Sequence, residues 1–367
     1  MFKRKPKKEF IDIGPKKPNW FRRHKKLAII LGVVIVLLAG AGTATALYFM
    51  NKKPAATAPA KVVKPIVKPP APKFYSPLSG NQVPDEASTK QAVTAVMIEN
   101  SPDARPQSGL KEAGVVFEAI AEGGITRFAV LYQQEKPGLI GPVRSVRMYF
   151  VDWLAAFNAS IAHVGGSAAA LAEVRNGNYR DIDEFFNSGS YYRATDRYAP
   201  HNVYTTATRL DALNVSKGYT SSTFTGFTRK DSVAAKVPTA TSISVDISSG
   251  LYDSSYAYNA TTNTYDRSEG GAPHMDRELG QISPRVVIVM KIPERTVLED
   301  GYREQIDAIG SAEATIFQDG TVQKVTWTKK SMLDQITFTN AEGKDVPLAR
   351  GQTWLTSVPE DGGVTWQ

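Results

Sequence analysis

The chain has 367 residues, of which 42% are hydrophobic and 22% charged, a balance typical of globular proteins. It contains no cysteine, which excludes disulfides, thiolate metal sites, a cysteine nucleophile and a lipid-modified cysteine. The net charge of +8 comes from two segments: residues 1–26 carry 11 Lys or Arg against two acids, and residues 51–73 carry six Lys and no acid. From residue 74 onward the net charge is −7, so we predict no nucleic-acid partner, because such partners need a basic folded domain.

An uncharged apolar run of 24 residues, Leu27–Met50, follows the basic segment. As a helix it would be about 36 Å long, enough to cross a hydrocarbon core of roughly 30 Å. The positive-inside rule then predicts a cytoplasmic tail at 1–26, a transmembrane helix at 27–50 and an extracytoplasmic body in a single-pass membrane protein. Ala44-Thr45-Ala46 also resembles a signal-peptidase site, and this alternative of a cleaved signal peptide exports the body as well.

Residues 51–73 contain six prolines among Ala, Val and Lys, which predicts an extended stalk that acts as a spacer. We divide the body into a layered α/β (α+β) region at 74–230 and a mainly β region at 239–367. The first region has strand patterns and helix patterns, and the second has strand patterns with Asp-Gly and Glu-Gly turns. The predicted strands are 93–98, 115–121, 127–132, 242–247, 256–258, 285–292, 314–317, 322–327 and 354–358, and the predicted helices are 148–157, 167–175 and 206–213.

Common catalytic motifs, including the G-x-S-x-G elbow, the P-loop and H-E-x-x-H, are absent from the sequence. Polar, glycine-punctuated segments remain as candidate sites. In the first, Arg105, Gln107 and Ser108 follow a predicted strand, where they would bind an anion or a sugar. The alternative is a polar turn that caps a helix.

Two further segments carry charges close together. Glu118 and Glu122 lie on one face of a predicted strand as an acid–base pair or as metal ligands, and a Gly-Gly hairpin returns Arg127 towards them. The alternative is a neutralising Glu–Arg pair. In Gly141–Arg147, Arg144 and Arg147 flank Ser145 before a predicted helix, which predicts an anion site or, alternatively, salt bridges to Glu118 and Glu122.

The remaining candidates contain histidines. His163 precedes Gly165, Gly166 and Ser167, which outline an anion cradle at a helix start where Ser167 is a helix cap. His201 lies in the polar segment 193–204. His274 and Asp276 follow Arg267 and lie on one strand face, where they would complete a metal site with His163 and His201. The pattern assigns no metal ligands and no cofactor.

The segments RPQSGL (105–110), EGGITRF (122–128), GPVRSVR (141–147), HVGGS (163–167) and APHNVY (199–204) resemble those of the YerB-like family, also called domain of unknown function 3048. YDR (265–267), HMD (274–276) and GQTWL (351–355) resemble its C-terminal domain. The resemblance implies a bacterial envelope protein with an α/β domain and a β-rich domain. Many members are lipoproteins, and this chain departs from them with an apolar helix and no cysteine. The resemblance implies no reaction.

Two functions are consistent with these patterns, and a purely structural scaffold or protein-interaction role, in which Arg–Glu pairs and Gly-Gly turns serve folding, is the third alternative. The first is an envelope protein that binds an anionic cell-wall polymer or a partner protein in an arginine-rich cleft formed by Arg105, Arg127, Arg144, Arg147 and Gly165–Ser167. The second is an envelope hydrolase or transferase, whose catalytic candidates are Glu118, Glu122, His163 and His201.

Overall fold

The computed structural model describes residues 24–52, 72–177, 179–297 and 303–367. The chain divides into two compact units, Met1–Pro70 and Ala71–Gln367. Most of the predicted tail and of the predicted stalk lies outside the described residues. In the first unit, helix α1 (Lys25–Met50) buries none of its residues and is long and apolar enough to cross a membrane, as a signal sequence would also be.

The second unit, called the body here, is a mixed α/β structure. Its helices are α2 (Glu86–Thr89), α3 (Met148–Leu154), α4 (Ala168–Asn176) and α5 (Ala207–Ser216), with 3-10 turns at Pro102–Ala104, Ala155–Phe157, Glu184–Phe186 and Ser188–Ser190. Its strands are β1 (Phe74–Tyr75), β2 (Gln82–Val83), β3 (Thr94–Glu99), β4 (Val115–Glu122), β5 (Ile125–Tyr132), β6 (Ser160–His163), β7 (Arg180–Asp183), β8 (Tyr192–Arg193), β9 (Val203–Tyr204), β10 (Arg229–Lys230), β11 (Ser242–Asp246), β12 (Ser254–Asn259), β13 (Thr264–Glu269), β14 (Ala272–Pro273), β15 (Met275–Asp276), β16 (Gly280–Gln281), β17 (Val286–Lys291), β18 (Glu294–Val297), β19 (Arg303–Ile306), β20 (Gly310–Gln318), β21 (Thr321–Lys329), β22 (Thr337–Thr339), β23 (Leu348–Ala349), β24 (Thr353–Val358) and β25 (Gly363–Trp366).

One large sheet contains strands from both halves of the body. Its order is β22-β21-β20-β17-β24-β4-β5-β3-β6-β7, and the β18–β19 hairpin joins it at β4. The halves meet where β24 runs parallel to β4, from the pair Thr353–Val115 to the pair Thr356–Glu118. The division of the body at 230–239 stays a prediction, but the structure shows that strands on both sides of it share one hydrogen-bonded sheet.

A second sheet, β14-β13-β12-β11-β25, comes wholly from the C-terminal half. Its strands alternate between buried and more exposed residues, as expected of a sheet with one face on a core. The buried positions of β13 are Tyr265, Arg267 and Glu269. Alternation along β13 therefore places two charged side chains in the interior.

The opposite face of the large sheet packs on aromatic side chains of α3 and the following 3-10 turn. Phe117 on β4 stacks on Trp153 with ring centroids 5.3 Å apart, and it meets Phe157 edge-on. All three side chains are fully buried. Truncating a buried Phe or Trp to Ala costs about 3–5 kcal/mol, so this cluster holds β4 firmly in place.

The turns confirm the local sequence signals. Gly123 and Gly124, between β4 and β5, have φ values of 57° and 76°, and Asp319 and Gly320, between β20 and β21, have 57° and 76°. Two successive positive φ values form the hairpin turn that matches the twist of the strands, and glycine adopts this conformation without steric cost.

Candidate functional site

Glu118 and Arg267 form a buried ion pair at the junction of the two halves. Neither residue has any exposed surface, and the Arg267 Nη2 group donates to both Glu118 oxygens at 2.9 and 2.8 Å. Trp354 Nε1 donates to Glu118 Oε2 at 2.9 Å, with the hydroxyls of Thr356 and Thr126 at 3.3 and 3.4 Å. Burial alone lowers the pKa of Arg267, but the facing Glu118 carboxylate raises it above its ordinary value. Glu118 thus has a full set of donors and is closed to solvent.

The ion pair extends into a hydrogen-bonded network. His274 Nδ1 contacts the Arg267 guanidinium, and His274 Nε2 lies 3.0 Å from Gln107 Oε1. Burial, then the charge of Arg267, hold the pKa of His274 well below its ordinary value, so its ring is neutral. Gln107 Nε2 donates to Asn100 Oδ1, and Asn100 Nδ2 donates to Glu269 Oε1 at 2.6 Å. We call Asn100, Gln107, Glu118, Arg267, Glu269 and His274 the junction network.

A second charge cluster surrounds Glu122. Its two oxygens accept from Arg127 Nη2 at 2.8 Å and from Arg147 Nη2 at 2.7 Å. Burial opposes ionisation of Glu122, but the two guanidinium groups lower its pKa below the ordinary value. The alternative reading of these segments as Glu–Arg pairs describes this geometry.

Glu118 and Glu122 do not act on a common group. The pairing of β4 with β5 shifts register between Ile120 and Glu122, which interrupts the alternation along β4. Glu118 pairs with Arg267, whereas Glu122 pairs with Arg127 and Arg147. The expected shared carboxylate face is therefore absent, because the strand changes register between them.

The Gly165-Gly166-Ser167 turn holds a carboxylate of the chain itself. Asp183 Oδ1 accepts from the Gly165 N–H at 3.2 Å, and Asp183 Oδ2 accepts from Arg175 at 3.0 Å. Ser167 caps α4, as the sequence predicts, by accepting from the Ala170 N–H. His163 is fully buried beside this turn, with Asp181 at 3.0 Å from Nε2.

His201 is oriented by a carboxylate beside an open surface. Its Nδ1 lies 3.0 Å from Glu99 Oε2 and 3.2 Å from Ser101 Oγ, and Arg144 Nε lies 3.5 Å from the other Glu99 oxygen. No hydrogen-bond partner of His201 Nε2 is found among the described residues. A carboxylate at Nδ1 fixes the ring and leaves Nε2 available to a ligand.

His201 lines a cavity of about 610 Å³ that collects arginines from both halves. We call it the arginine cavity, and its lining residues are Asp103, Arg105, Pro106, Asp196, Arg197, Tyr198, His201 and Arg277. Three chain segments form it: the turn after β3, the loop between β8 and β9, and the turn after β15.

Contacts between these segments fix the walls of the cavity. The guanidinium of Arg197 donates to the carbonyls of Asp103 and Pro106 at 2.9 and 2.7 Å. Arg277 Nη2 lies 2.6 Å from Asp196 Oδ2. Arg105 donates through Nη1 to the carbonyl of Leu251 at 3.0 Å. The Arg197 guanidinium has no carboxylate within 4.0 Å in the part of the chain that the structure describes.

The structure brings two of the sequence candidates, Arg105 and His201, to this cavity. The other candidates lie elsewhere: Gln107 and His274 in the junction network, and Asp276 in a turn where it accepts from the N–H groups of Lys111, Glu278 and Leu279. Ser108 is buried, and Ser145 donates to the carbonyl of Val164. The segment around Arg144 is extended and not helical, so Arg144 and Arg147 bind different acids.

His163, His201 and His274 belong to three different sets of contacts. Across residues 24–52, 72–177, 179–297 and 303–367, no group of three His, Asp or Glu side chains has the spacing that holds a metal ion. The sequence reasoning missed Glu99, Arg197 and Arg277. Arg197 lies in the segment 193–204 that the sequence singled out, whereas nothing in the sequence pattern distinguished Arg277.

Comparisons with known proteins agree with this architecture. Residues 78–220 match the family described as "Protein of unknown function (DUF3048) N-terminal domain", and residues 243–355 match its C-terminal domain. A Bacillus subtilis (strain 168) protein named "Putative lipoprotein YerB" is 31% identical over 296 residues, which cover 79% of this chain and 88% of that protein. The crystal structure of the YerB protein from Bacillus subtilis has a TM-score of 0.71 at 29% identity and covers 80% of this chain and 100% of that chain.

These matches confirm the resemblance noted in the sequence, and they confirm the mixed α/β N-terminal region and the mainly β C-terminal region. The name "Putative lipoprotein YerB" belongs to the relative and associates that protein with a membrane. In this chain, the N-terminal helix is long and apolar enough for membrane association. With both domain models matched in order along the chain, this protein is a member of the DUF3048 family.

Proposed function

We propose that this protein is anchored in the membrane by α1 and that its body, outside the membrane, binds an anionic cell-envelope ligand in the arginine cavity. The observation that carries this proposal is the convergence of Arg105, Arg197, Arg277 and His201 on one open cavity. Guanidinium groups bind carboxylates and phosphates through two parallel hydrogen bonds, which gives both affinity and orientation.

Charge balance favours this cavity over the other arginine clusters. Glu122 already neutralises Arg127 and Arg147, and Glu118 neutralises Arg267. Arg197 in contrast donates only to neutral carbonyls in its described contacts. A bound anion would therefore supply the countercharge that Arg197 lacks among the described residues, whereas Arg105 and Arg277 are paired with Glu269 and Asp196.

The charges that flank the apolar run support a position of the body outside the membrane. Eleven basic residues precede the apolar run Leu27–Met50, which predicts a cytoplasmic N-terminus. The name of the Bacillus subtilis relative, a putative lipoprotein, supports membrane association. Cell-wall polymers with phosphate or carboxylate groups and acidic envelope proteins are the ligands available there.

Co-sedimentation of the body, residues 71–367, with purified cell-wall sacculi tests the proposal. We expect binding to sacculi that retain their anionic polymers, and binding weaker by more than about tenfold for the Arg197→Ala/Arg277→Ala protein. The control is Lys324→Ala/Lys344→Ala, which removes the same charge from exposed pairs elsewhere. Equal binding of both variants would show that the cavity is not the site.

A second candidate function, an envelope hydrolase or transferase, depends on His201. Glu99 at Nδ1 would orient the ring while Nε2 removes a proton from a nucleophile in the cavity. Glu118 and Glu122 are unsuitable bases, because each is already paired with arginine. Turnover of sacculi that is lost in His201→Gln with binding retained would establish this function.

A further inference from the structure

A second cavity adjoins the arginine cavity and shares two residues with it. Its volume is about 350 Å³, and six of its lining residues are Tyr192, Arg193, Thr195, Asp196, Tyr204 and Arg277. Asp196 and Arg277, which form an ion pair, line both cavities. Both volumes fall within the range of roughly 300–1,000 Å³ that single ligand sites occupy, so the two cavities together form a groove with room for two ligand segments.

Tyrosines are exposed along this groove. Tyr198 has 91% of its surface exposed, and Tyr192 has 38% exposed. Tyr192 is also held in place, because the Arg209 guanidinium lies 5.2 Å from its ring centroid and Tyr204 packs beside it. Aromatic rings with one apolar surface and one polar end are suited to flat, amphipathic ligands such as sugar rings.

Charged residues of both signs line the groove. Arg105, Arg197, Arg277 and Arg193 are joined there by Asp103 and Asp196. Hydrogen bonding to Arg277 lowers the pKa of Asp196, which therefore stays ionised at neutral pH. Carboxylates at these places accept hydrogen bonds from hydroxyl groups and repel other carboxylates.

This mixture favours one class of polymer. A glycan with widely spaced acidic groups offers hydroxyls to the two aspartates, ring faces to the tyrosines and anions to the arginines. An acidic peptide would place carboxylates against Asp196, and a densely charged polyanion would approach residues 74–367, whose net charge is −7.

We propose that the two cavities are consecutive subsites for one anionic glycan chain, which crosses the Asp196–Arg277 pair. The inference rests on the proposed function, because it extends the ligand of the arginine cavity into the neighbouring one. Tyr192 and Arg193 contact the segment of the glycan in the second cavity, and Arg197 and His201 contact the segment in the arginine cavity.

Calorimetric titration with defined oligosaccharides tests the inference. The probes are the disaccharide and the tetrasaccharide of alternating N-acetylglucosamine and N-acetylmuramic acid, with the neutral tetramer of N-acetylglucosamine for comparison. We expect the tetrasaccharide to bind at least about tenfold more tightly than the disaccharide, and the neutral tetramer to bind weakly. The Tyr192→Ala/Arg193→Ala protein should lose the advantage of length but keep the disaccharide affinity.

Two controls show whether a loss of binding comes from the groove residues or from unfolding. Phe186→Ala removes an exposed aromatic ring outside the groove and should bind as the unchanged protein does. A midpoint of thermal unfolding within error of the unchanged protein shows that each variant is folded. Because Tyr192 packs on Tyr204, Arg193→Ala alone serves as the second groove variant if the double variant unfolds.

Three results would overturn the inference. Equal affinity for both lengths, with loss of binding in Arg197→Ala, would leave the proposed function intact and remove the second subsite. Tighter binding of a tetraglutamate peptide would show that the groove is made for acidic protein segments. If neither the oligosaccharides nor sacculi bind, or if their binding does not depend on Arg197, both the proposed function and the inference would be wrong.

Discussion

The junction network and the arginine cavity are built from the same residue types, yet they have opposite properties. In the junction network, Arg267 and Glu118 are completely buried and form hydrogen bonds with each other. In the arginine cavity, Arg277 and Asp196 are exposed, and Arg197 donates to carbonyls. Burial therefore decides what a charged side chain does in this protein. The enclosed charges of the junction network bind each other and join the two halves of the body, whereas the open charges of the arginine cavity remain available to a ligand.

The largest expected effect is on the free energy of unfolding in the junction network. Glu118→Ala should lower it by about 3–5 kcal/mol, because the buried charge of Arg267 would keep only Glu269, 3.6 Å away, as a counterion and would lose its two hydrogen bonds to Glu118. Denaturant unfolding of the body measures the loss. The double variant Glu118→Gln/Arg267→Met should recover part of the stability, because it removes both charges. A loss below about 1 kcal/mol for Glu118→Ala would show that the pair is dispensable.

A smaller effect is expected at Glu122, which is partly exposed. Glu122→Ala should destabilise the body by about 2–3 kcal/mol at pH 7, because Arg127 and Arg147 lose their shared partner. The folded state lowers the pKa of Glu122, so its stabilisation is present above the unfolded value near 4.5 and is lost as the pH falls below it. The difference between variant and unchanged protein should therefore shrink on acidification, which denaturant unfolding at pH 7 and pH 3 measures. Glu313→Ala, in an exposed pair, is the control.

Glu294 is a partly buried carboxylate that has no cation within 4.0 Å among the described residues. Its Oε2 is buried and has no hydrogen-bond partner among the described residues, and burial raises its pKa to about 7. Its protonated form is favoured on folding, so this contribution is full below about 4.5 and is lost as the pH rises through 7. Glu294→Gln should stabilise the body by about 1–2 kcal/mol at pH 8, allowing for its partial exposure, and should have little effect at pH 4.5. Thermal unfolding across this range measures the trend, and an effect that does not vary with pH would contradict it.

The smallest effect on stability is expected in the arginine cavity. Arg277→Ala should leave the denaturant midpoint unchanged within error, because solvent screens its exposed pair with Asp196. The same change should weaken binding to sacculi under the proposed function. A variant that loses stability and binding together would break the distinction between the two regions, and Lys344→Ala provides the control for a change of one exposed charge.

Local features of the fold were predictable from the sequence. The alternation and β-branched residues of 115–121 and 127–132 indicated β4 and β5, and the Gly123-Gly124 pair indicated the turn between them. Ser167 was predicted to cap α4 and does so. These features depend on the conformational preferences of residues that are only a few positions apart in the sequence.

The partners of the charged residues were not predictable in the same way. The sequence placed Glu118 and Glu122 on one face, but the register shift in β4 separates them, and Glu118 pairs with a residue 149 positions away. Arg277 reaches the cavity because β15 and the loop after β8 meet, although Asp196 and Arg277 are 81 positions apart.

The sequence by itself determined the apolar N-terminal helix, the absence of cysteine chemistry, the main strands and the family. Each of these depends on composition, on local periodicity or on the order of short motifs. The tertiary structure alone decided which arginines are neutralised and which remain open, because that depends on the parallel pairing of β24 with β4 and on burial between the sheets. Burial and long-range pairing are properties of the folded chain, and the order of charged residues along the sequence does not specify them.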